Sequence, residues 1–458
     1  MKLRLATLCL IILNLFMFTT LFAQNGKLKI STSSPEAQKL YYQARMEIEK
    51  ENAQAIPELA RRALKVDPDF AMGLMLLSVL ANGATADSLL GVAIEKGKKN
   101  ATAAEVSYIE AVRLQRKQDM AGATKILDQL ISEFPKDRDT MIYAAQLHQA
   151  LKNYDKAEEY LKKGIELDGS TPRGYRLLAG VYQAAGKPDK VSKILQTGIK
   201  NAGESTGLYQ ASGTAALLQE NYEEARNYYK KAIKMIDRDA TPFVPFFGYA
   251  WTHMYEGNPD DALKIIDKFL ARYNRNGAAQ GFPPVWIWNQ IGRIHLENGR
   301  LEEAMIAYKT GYKSVPPSQI SDARKKVWEQ RSNHGQARTL AKMGKHEDAM
   351  KIVNKMEKLL NSEATEQQRA QFEPAFHYLA GYVMLEANKL EAAIEHLRKT
   401  SEQNAFHLLL LARAYEKSGD TKNALAKYKA ITKMNRNNVE RALSYPEAKK
   451  KVAALSSK

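Results

Sequence analysis

The chain has 458 residues, 45% hydrophobic and 26% charged, a composition that fits a folded protein and excludes a disordered one. Its 68 lysines and arginines outnumber 51 aspartates and glutamates, for a net charge of +17. A single cysteine excludes a disulfide framework.

The N-terminus reads MKLRLATLCLIILNLFMFTTLFAQ, with Lys2 and Arg4 ahead of an apolar run and a small residue, Ala23, before Gln24. That layout predicts a secretory signal peptide over 1–23. An uncleaved anchor is the alternative, because Leu5 to Ala23 is long enough nearly to span a bilayer. Asn14 interrupts the run and no basic stop follows it, which favours cleavage. Cys9 follows Leu8 rather than a small residue and precedes most of the apolar run, so lipid attachment is not expected. Cleavage leaves no transmembrane segment, no thiol and a charge of +15 over 435 residues. The expected location is outside the cytoplasm: periplasm, cell envelope or medium. The lysines are dispersed along the chain, as on a solvated helical face, and attraction to an anionic surface is the functional alternative.

After a short linker at 24–36, one pattern recurs. Small residues stand at Ala44, Ser78, Ala111, Ala145, Ala179, Gly213, Ala250, Gly292, Ala337, Ala380 and Ala412, the first five intervals being 33 or 34 residues. From Ala111 onward a second residue follows 12 places later: Ala123, Ala157, Val191, Ala225, Ala262, Ala304, Ala349, Ala392 and Ala424. Breakers separate the two positions, as in GKPD at 186–189, GNPD at 257–260 and SGD at 418–420. Each period therefore predicts a striped helix, a tight turn and a second striped helix. Two antiparallel helices approach closely only where the crossing residues are small. Larger residues such as Leu177, Tyr182, Leu195, Ile291 and Tyr308 are expected to fill the seams between pairs. Pro68, Pro135 and Pro316 are placed to close second helices. A single pair cannot bury its own stripe, so the pairs must stack into a continuous core.

This spacing resembles the tetratricopeptide repeat family over about residues 37–436, in ten or eleven repeats. The resemblance implies an all-α, right-handed superhelical solenoid of antiparallel helix pairs, with a concave groove lined by first helices. It also implies binding of proteins or peptides without catalysis.

A regular array is expected over 37–276 and a less regular one over 277–436, where the intervals stretch to 42, 45 and 43 residues. The added residues at 274–284, 314–327 and 361–372 predict loops or short helices between pairs. The pair after Asp69 reads as shortened, without a complete second helix. Residues 437–458 predict a C-terminal capping helix and tail that covers the last pair.

No stretch carries a convincing reaction centre, metal site, cofactor loop or nucleic-acid signature. GESTG at 203–207 fits a nucleophile-elbow pattern around Ser205, but no strand feeds it, so a loop is expected. The eight histidines show no ligand spacing. His148, His253, His295 and His396 sit where other repeats carry apolar or aromatic seam residues. By the resemblance, groove-lining places fall on Arg176 and Gln183, on Phe247, Trp251 and Tyr255, on Trp286, Asn289 and Arg293, and on His334 and Arg338. Three of the four tryptophans lie within 242–293. Phe246, Tyr249 and Trp288 are assigned to the core there. Phe247, Trp251, Trp286 and Arg293 form an aromatic and guanidinium cluster suited to an apolar peptide or a carboxylate. Sugar-capturing outer-membrane lipoproteins also use the repeat, so a glycan or anionic-polymer ligand is the alternative. Those proteins carry a lipidated cysteine and large inserted loops, which this chain lacks.

Overall fold

The computed structural model describes residues 26–50, 55–79, 81, 83–236, 243–276, 284–314, 322–362 and 366–457. The expected signal peptide and Pro316 lie outside them. Among the described residues there are helices and no strands. The first five pairs are α1 (Pro35–Glu49) with α2 (Ile56–Val66), α3 (Ala71–Val79) with α4 (Gly83–Asn100), α5 (Ala103–Arg116) with α6 (Met120–Glu133), α7 (Arg138–Ala150) with α8 (Tyr154–Leu167), and α9 (Pro172–Ala184) with α10 (Pro188–Ala202). The next three are α11 (Thr206–Leu218) with α12 (Tyr222–Met235), α13 (Phe243–Tyr255) with α14 (Pro259–Asn276), and α15 (Val285–Glu297) with α16 (Leu301–Lys313). The last three are α17 (Asp322–Lys342) with α18 (His346–Ser362), α19 (Glu366–Glu386) with α20 (Leu390–Arg398), and α21 (Ala405–Lys417) with α22 (Thr421–Thr432). A final helix, α23, runs from Val439 to Ser456. The fold is an all-α helical-repeat solenoid.

The crossing residues explain the pairing. Ala111 with Ala123, Ala145 with Ala157 and Ala412 with Ala424 are fully buried, as are Ala225, Ala250, Ala262, Ala304, Ala337, Ala349 and Ala380. Ala179 is also buried. In the tenth pair Ala393, not Ala392, is the fully buried residue, while Ala392 is half-buried. A left-handed residue closes the turn inside nine successive pairs. Gly186, Gly257, Gly299, Gly344 and Gly419 fill five of these turns, and Gln118, Lys152, Glu220 and Asn388 fill the other four.

Two expectations need correction. The pair after Asp69 is complete, its second helix α4 running for 18 residues. The residues added at 322–327 and 366–372 lie within α17 and α19, each 21 residues long, rather than in loops.

The chain divides into two compact units, residues 1–212 and 213–458. In the first, the segment expected to be a linker is docked. Leu28 and Ile30 are buried, and backbone amides donate to carboxylates at helix ends: Leu28 to Asp137 at 3.1 Å and Ser31 to Glu105 at 2.7 Å at the starts of α7 and α5, and Ser33 to Asp67 at 2.9 Å at the end of α2. Helix α1 then reaches the later pairs of this unit. Glu49 lies between Arg138 at 2.8 Å and Arg173 at 3.0 Å, and Arg45 pairs with Asp139 at 2.7 Å.

In the second unit, tyrosines of second helices are wedged between glycines of adjacent first helices. Tyr229 faces Gly213 and Gly248, and Tyr308 faces Gly292 and Gly335. A Cβ on Gly248 would stand 2.5 Å from two Tyr229 ring carbons. Tyr229 cannot yield, because it is fully buried and its hydroxyl is bonded to Thr214 at 2.8 Å and Asn437 at 2.9 Å. Gly248→Ala is therefore expected to destabilise by about 1–3 kcal/mol despite alanine's better helix propensity. Gly91→Ala in α4, where the Cβ meets nothing within 4 Å, is expected to stabilise by about 0.5–1 kcal/mol. Thermal melts of the two variants should move in opposite directions.

Candidate functional site

The inner face of the second unit is built from first helices, and α23 lies against it. Asn438 caps α23 by accepting the Arg441 amide at 3.0 Å. The helix packs on α21 and α22 and extends inward to α13 and α15. It is thus more than the expected cap on the last pair, because it covers the face of earlier pairs as well.

Polar and aromatic contacts dominate this docking. Arg293 of α15 stacks over the Phe406 ring at 5.3 Å and pairs with Glu440 of α23. Arg441 donates to the Tyr255 hydroxyl at 2.7 Å, with its guanidinium 4.1 Å from the Tyr445 ring centroid. Tyr445 packs on Tyr255 at 5.4 Å and donates its hydroxyl to Glu220, which also pairs with Lys449. Arg413 of α21 grips Glu447 through two bonds of 2.9 and 2.5 Å. Lys451 meets Glu416 at 2.5 Å.

Beneath α23 lies a buried charge cluster. The Glu297 side chain, 7% exposed, accepts from Lys342 at 3.2 Å and from the Tyr382 hydroxyl at 3.0 Å, and stands 3.6 Å from Arg413. Burial alone would raise its pKa, but Lys342 and Arg413 outweigh burial and hold it below the usual carboxylate value. Arg338 is buried and donates to the Tyr378 hydroxyl at 2.9 Å and the Tyr308 hydroxyl at 3.3 Å. Beside it three rings stack, His334 on Tyr378 at 4.9 Å and Tyr378 on His407 at 4.6 Å. All three remain half-buried. Burial, with Arg293 adding to it, brings His407 down to about 4. Burial and Arg338 place His334 well below its ordinary value.

Of the groove residues expected from sequence, Tyr255 and Arg293 meet α23, and Arg338 and His334 lie close by. Phe247 and Trp251 are 5% and 4% exposed. Their rings join Phe269 of α14 and Trp286 in a packed cluster with centroids 5.0–5.5 Å apart, so they fill a seam rather than stand open. Trp286 and Asn289 are half-buried. Phe243, about half exposed, extends the cluster outward through its 5.0 Å contact with Trp286. Arg176 and Gln183 lie half-buried on α9 of the first unit. Phe246 is buried, and Tyr249 and Trp288 pack at the edge of the same core.

Sequence reasoning missed Glu440, Arg441, Tyr445 and Glu447, and the hub at Glu297. The available signal was the spacing of Glu440, Glu447 and Lys451, which falls on one helical strip. The Ser205 hydroxyl accepts the Leu208 amide at 3.1 Å at the start of α11, a capping contact. His377 and His396 meet across α19 and α20 with ring nitrogens 2.9 Å apart, yet no group of three metal-ligating side chains occurs among the described residues. No described helix is long and apolar enough to cross a membrane.

Tetratricopeptide repeat profiles match residues 114–180, 206–238, 249–318 and 408–440. Human cilia- and flagella-associated protein 70 is 27% identical over 169 residues, covering 36% of this chain and 14% of that protein. The chain thus spans about a seventh of the length of the curated relative it matches. A tetratricopeptide repeat protein of Parabacteroides merdae is similar at 13% identity and a TM-score of 0.36, covering 65% of this chain and 99% of that one. The type IV pilus biogenesis factor PilW has 16% identity and a TM-score of 0.38, covering 49% and 98%. A chain of the Cut9–Hcn1 assembly has 13% identity and a TM-score of 0.34, covering 92% and 97%. Repeats of this kind are protein-interaction scaffolds and are in general non-catalytic. The chain belongs to the tetratricopeptide repeat family.

Proposed function

We propose that this chain is a non-catalytic scaffold, exported to the periplasm or envelope of a bacterium, whose inner face holds a polypeptide. The observation that carries the reading is α23 itself. The wall of the second unit already grips a helix through ion pairs, aromatic contacts and a buried guanidinium, so its chemistry is suited to polypeptide. Export rests on the basic start, apolar run and Ala23–Gln24 junction of the first 24 residues.

Two measurements test these parts separately. N-terminal sequencing of protein recovered from envelope and periplasmic fractions is expected to begin at Gln24. Intact Met1 in the cytoplasm would refute export. A photo-cross-linking residue placed at Phe243 or at His334 is expected to capture polypeptide in those fractions. Capture of glycan alone, with no polypeptide adduct at either position, would refute polypeptide binding.

A further inference from the structure

The wall and α23 carry complementary charge. Arg293, Arg338, Lys342 and Arg413 cluster on the wall, where Glu297 is the carboxylate touching two of them. Two more carboxylates come from α23, Glu440 to Arg293 and Glu447 to Arg413. These lie seven residues apart, on one strip of helix and about 10 Å from each other. Without α23 the wall would open to water a cation patch at Arg293 and Arg413 and an aromatic surface at Tyr255, with Glu220 and Glu416 at its edge.

The docking has the character of an exchangeable contact. The aliphatic side chains that α23 buries fully are small, Val439, Ala442 and Ala448, while Tyr445 is buried and Leu443, Val452 and Leu455 pack partly buried on the same cores, so charge and apolar area share the docking. Pro446 sits inside α23, removing the backbone bond to Ala442 and clashing with the preceding turn. The helix therefore depends on the wall for its form. Its last turns expose Lys449, Lys450, Ala453, Ala454 and Ser456, while Lys451, Val452 and Leu455 are partly buried.

We propose that α23 occupies the place of a partner helix. The inner face of the second unit binds an amphipathic helix of another protein that bears an acid at position i, an aromatic ring at i+5 and a second acid at i+7, in the register of Glu440, Tyr445 and Glu447. The inference rests on the polypeptide-binding reading above. Because α23 competes from within the chain, apparent affinity is reduced by the fraction of molecules in which α23 is docked.

The probe is a fluorescein-labelled peptide of residues 437–456, compared with the same peptide carrying Glu440→Gln and Glu447→Gln. Both are titrated against the full chain and against the full chain with those two substitutions. The unsubstituted peptide is expected to bind the substituted chain at least tenfold more tightly than the unmodified chain. The Gln-substituted peptide should bind at least tenfold more weakly than the unsubstituted one. Should the substituted chain fail to fold, the unmodified chain gives the answer by hydrogen exchange. Saturating unsubstituted peptide should speed amide exchange across 439–456 at least fivefold, and unchanged exchange would overturn the proposal. Equal binding of the two peptides would overturn the role of the two acids while leaving a polypeptide scaffold in place. Binding of neither peptide overturns the inference, and with no cross-linked polypeptide the wider reading falls as well. Dimers that exchange α23 between copies, in place of peptide capture, would also overturn it.

Discussion

Glu297→Ala is expected to cost the second unit about 3–5 kcal/mol, the range for removing one partner from a buried ion pair. Glu297 is the meeting point of Lys342, Arg413 and the Tyr382 hydroxyl. Its removal takes one acceptor from each of two half-buried cations and leaves the buried Tyr382 hydroxyl without its acceptor. Arg413 would keep Glu447 of α23, whereas Lys342 would keep only the Leu296 carbonyl at 3.3 Å. The loss should therefore concentrate where α15 meets α17. Urea unfolding followed by tryptophan fluorescence reads this unit selectively, since Trp251, Trp286, Trp288 and Trp328 all lie beyond residue 212. Lys264→Ala, which breaks an exposed pair with Asp261, should leave the midpoint unmoved. An equal response from both variants would mean that the Glu297 hub contributes no more than a surface pair.

The contrast between these two pairs also shows what was legible in the sequence. Crossing residues could be read because they are local and periodic: a small side chain, a tight turn, and another small side chain 12 places on. The reading slipped by one at Ala392, where two alanines are adjacent and the local pattern could not choose between them. It also missed that the added residues near 322 and 366 lengthen α17 and α19, because polar, charged stretches suit a loop and an exposed helical turn equally well. The site was far less legible. Arg293 and Tyr255 were found from their places in the repeat, but their partners Glu440 and Arg441 lie 147 and 186 residues away. No period encodes a contact of that range. Phe247 and Trp251 erred in the opposite direction. A large ring near the crossing can turn to the inner face or into the seam, and Phe269 on α14 draws these two into the seam.

The second unit is also expected to lose stability as the solution is acidified, and the sign follows from its histidines. His407 titrates in the fold at about 4, against about 6.5 when unfolded, because burial and Arg293 disfavour its charge. His334 is depressed in the same direction by burial and Arg338. A folded pKa below the unfolded one gives a contribution that is complete above about pH 6.5 and disappears as pH falls to the folded value. For His407 that contribution is on the order of 3 kcal/mol. The carboxylates act lower on the scale. Glu297 and Glu440 are both held below 4.5, so their contribution is complete above that value and lost below it. The tryptophan-monitored urea midpoint should thus decline from pH 6.5 to 4 and fall more steeply below. His407→Gln, which cannot protonate, should make the first part of the decline shallower by the share of His407, with His334 still contributing, and leave the second in place. A midpoint independent of pH between 6.5 and 4 in the unmodified chain would mean that the ring stack of His334, Tyr378 and His407 is open to water. Its neighbours Arg293 and Arg338 would then be too well screened to form the cationic floor on which Glu440 docks.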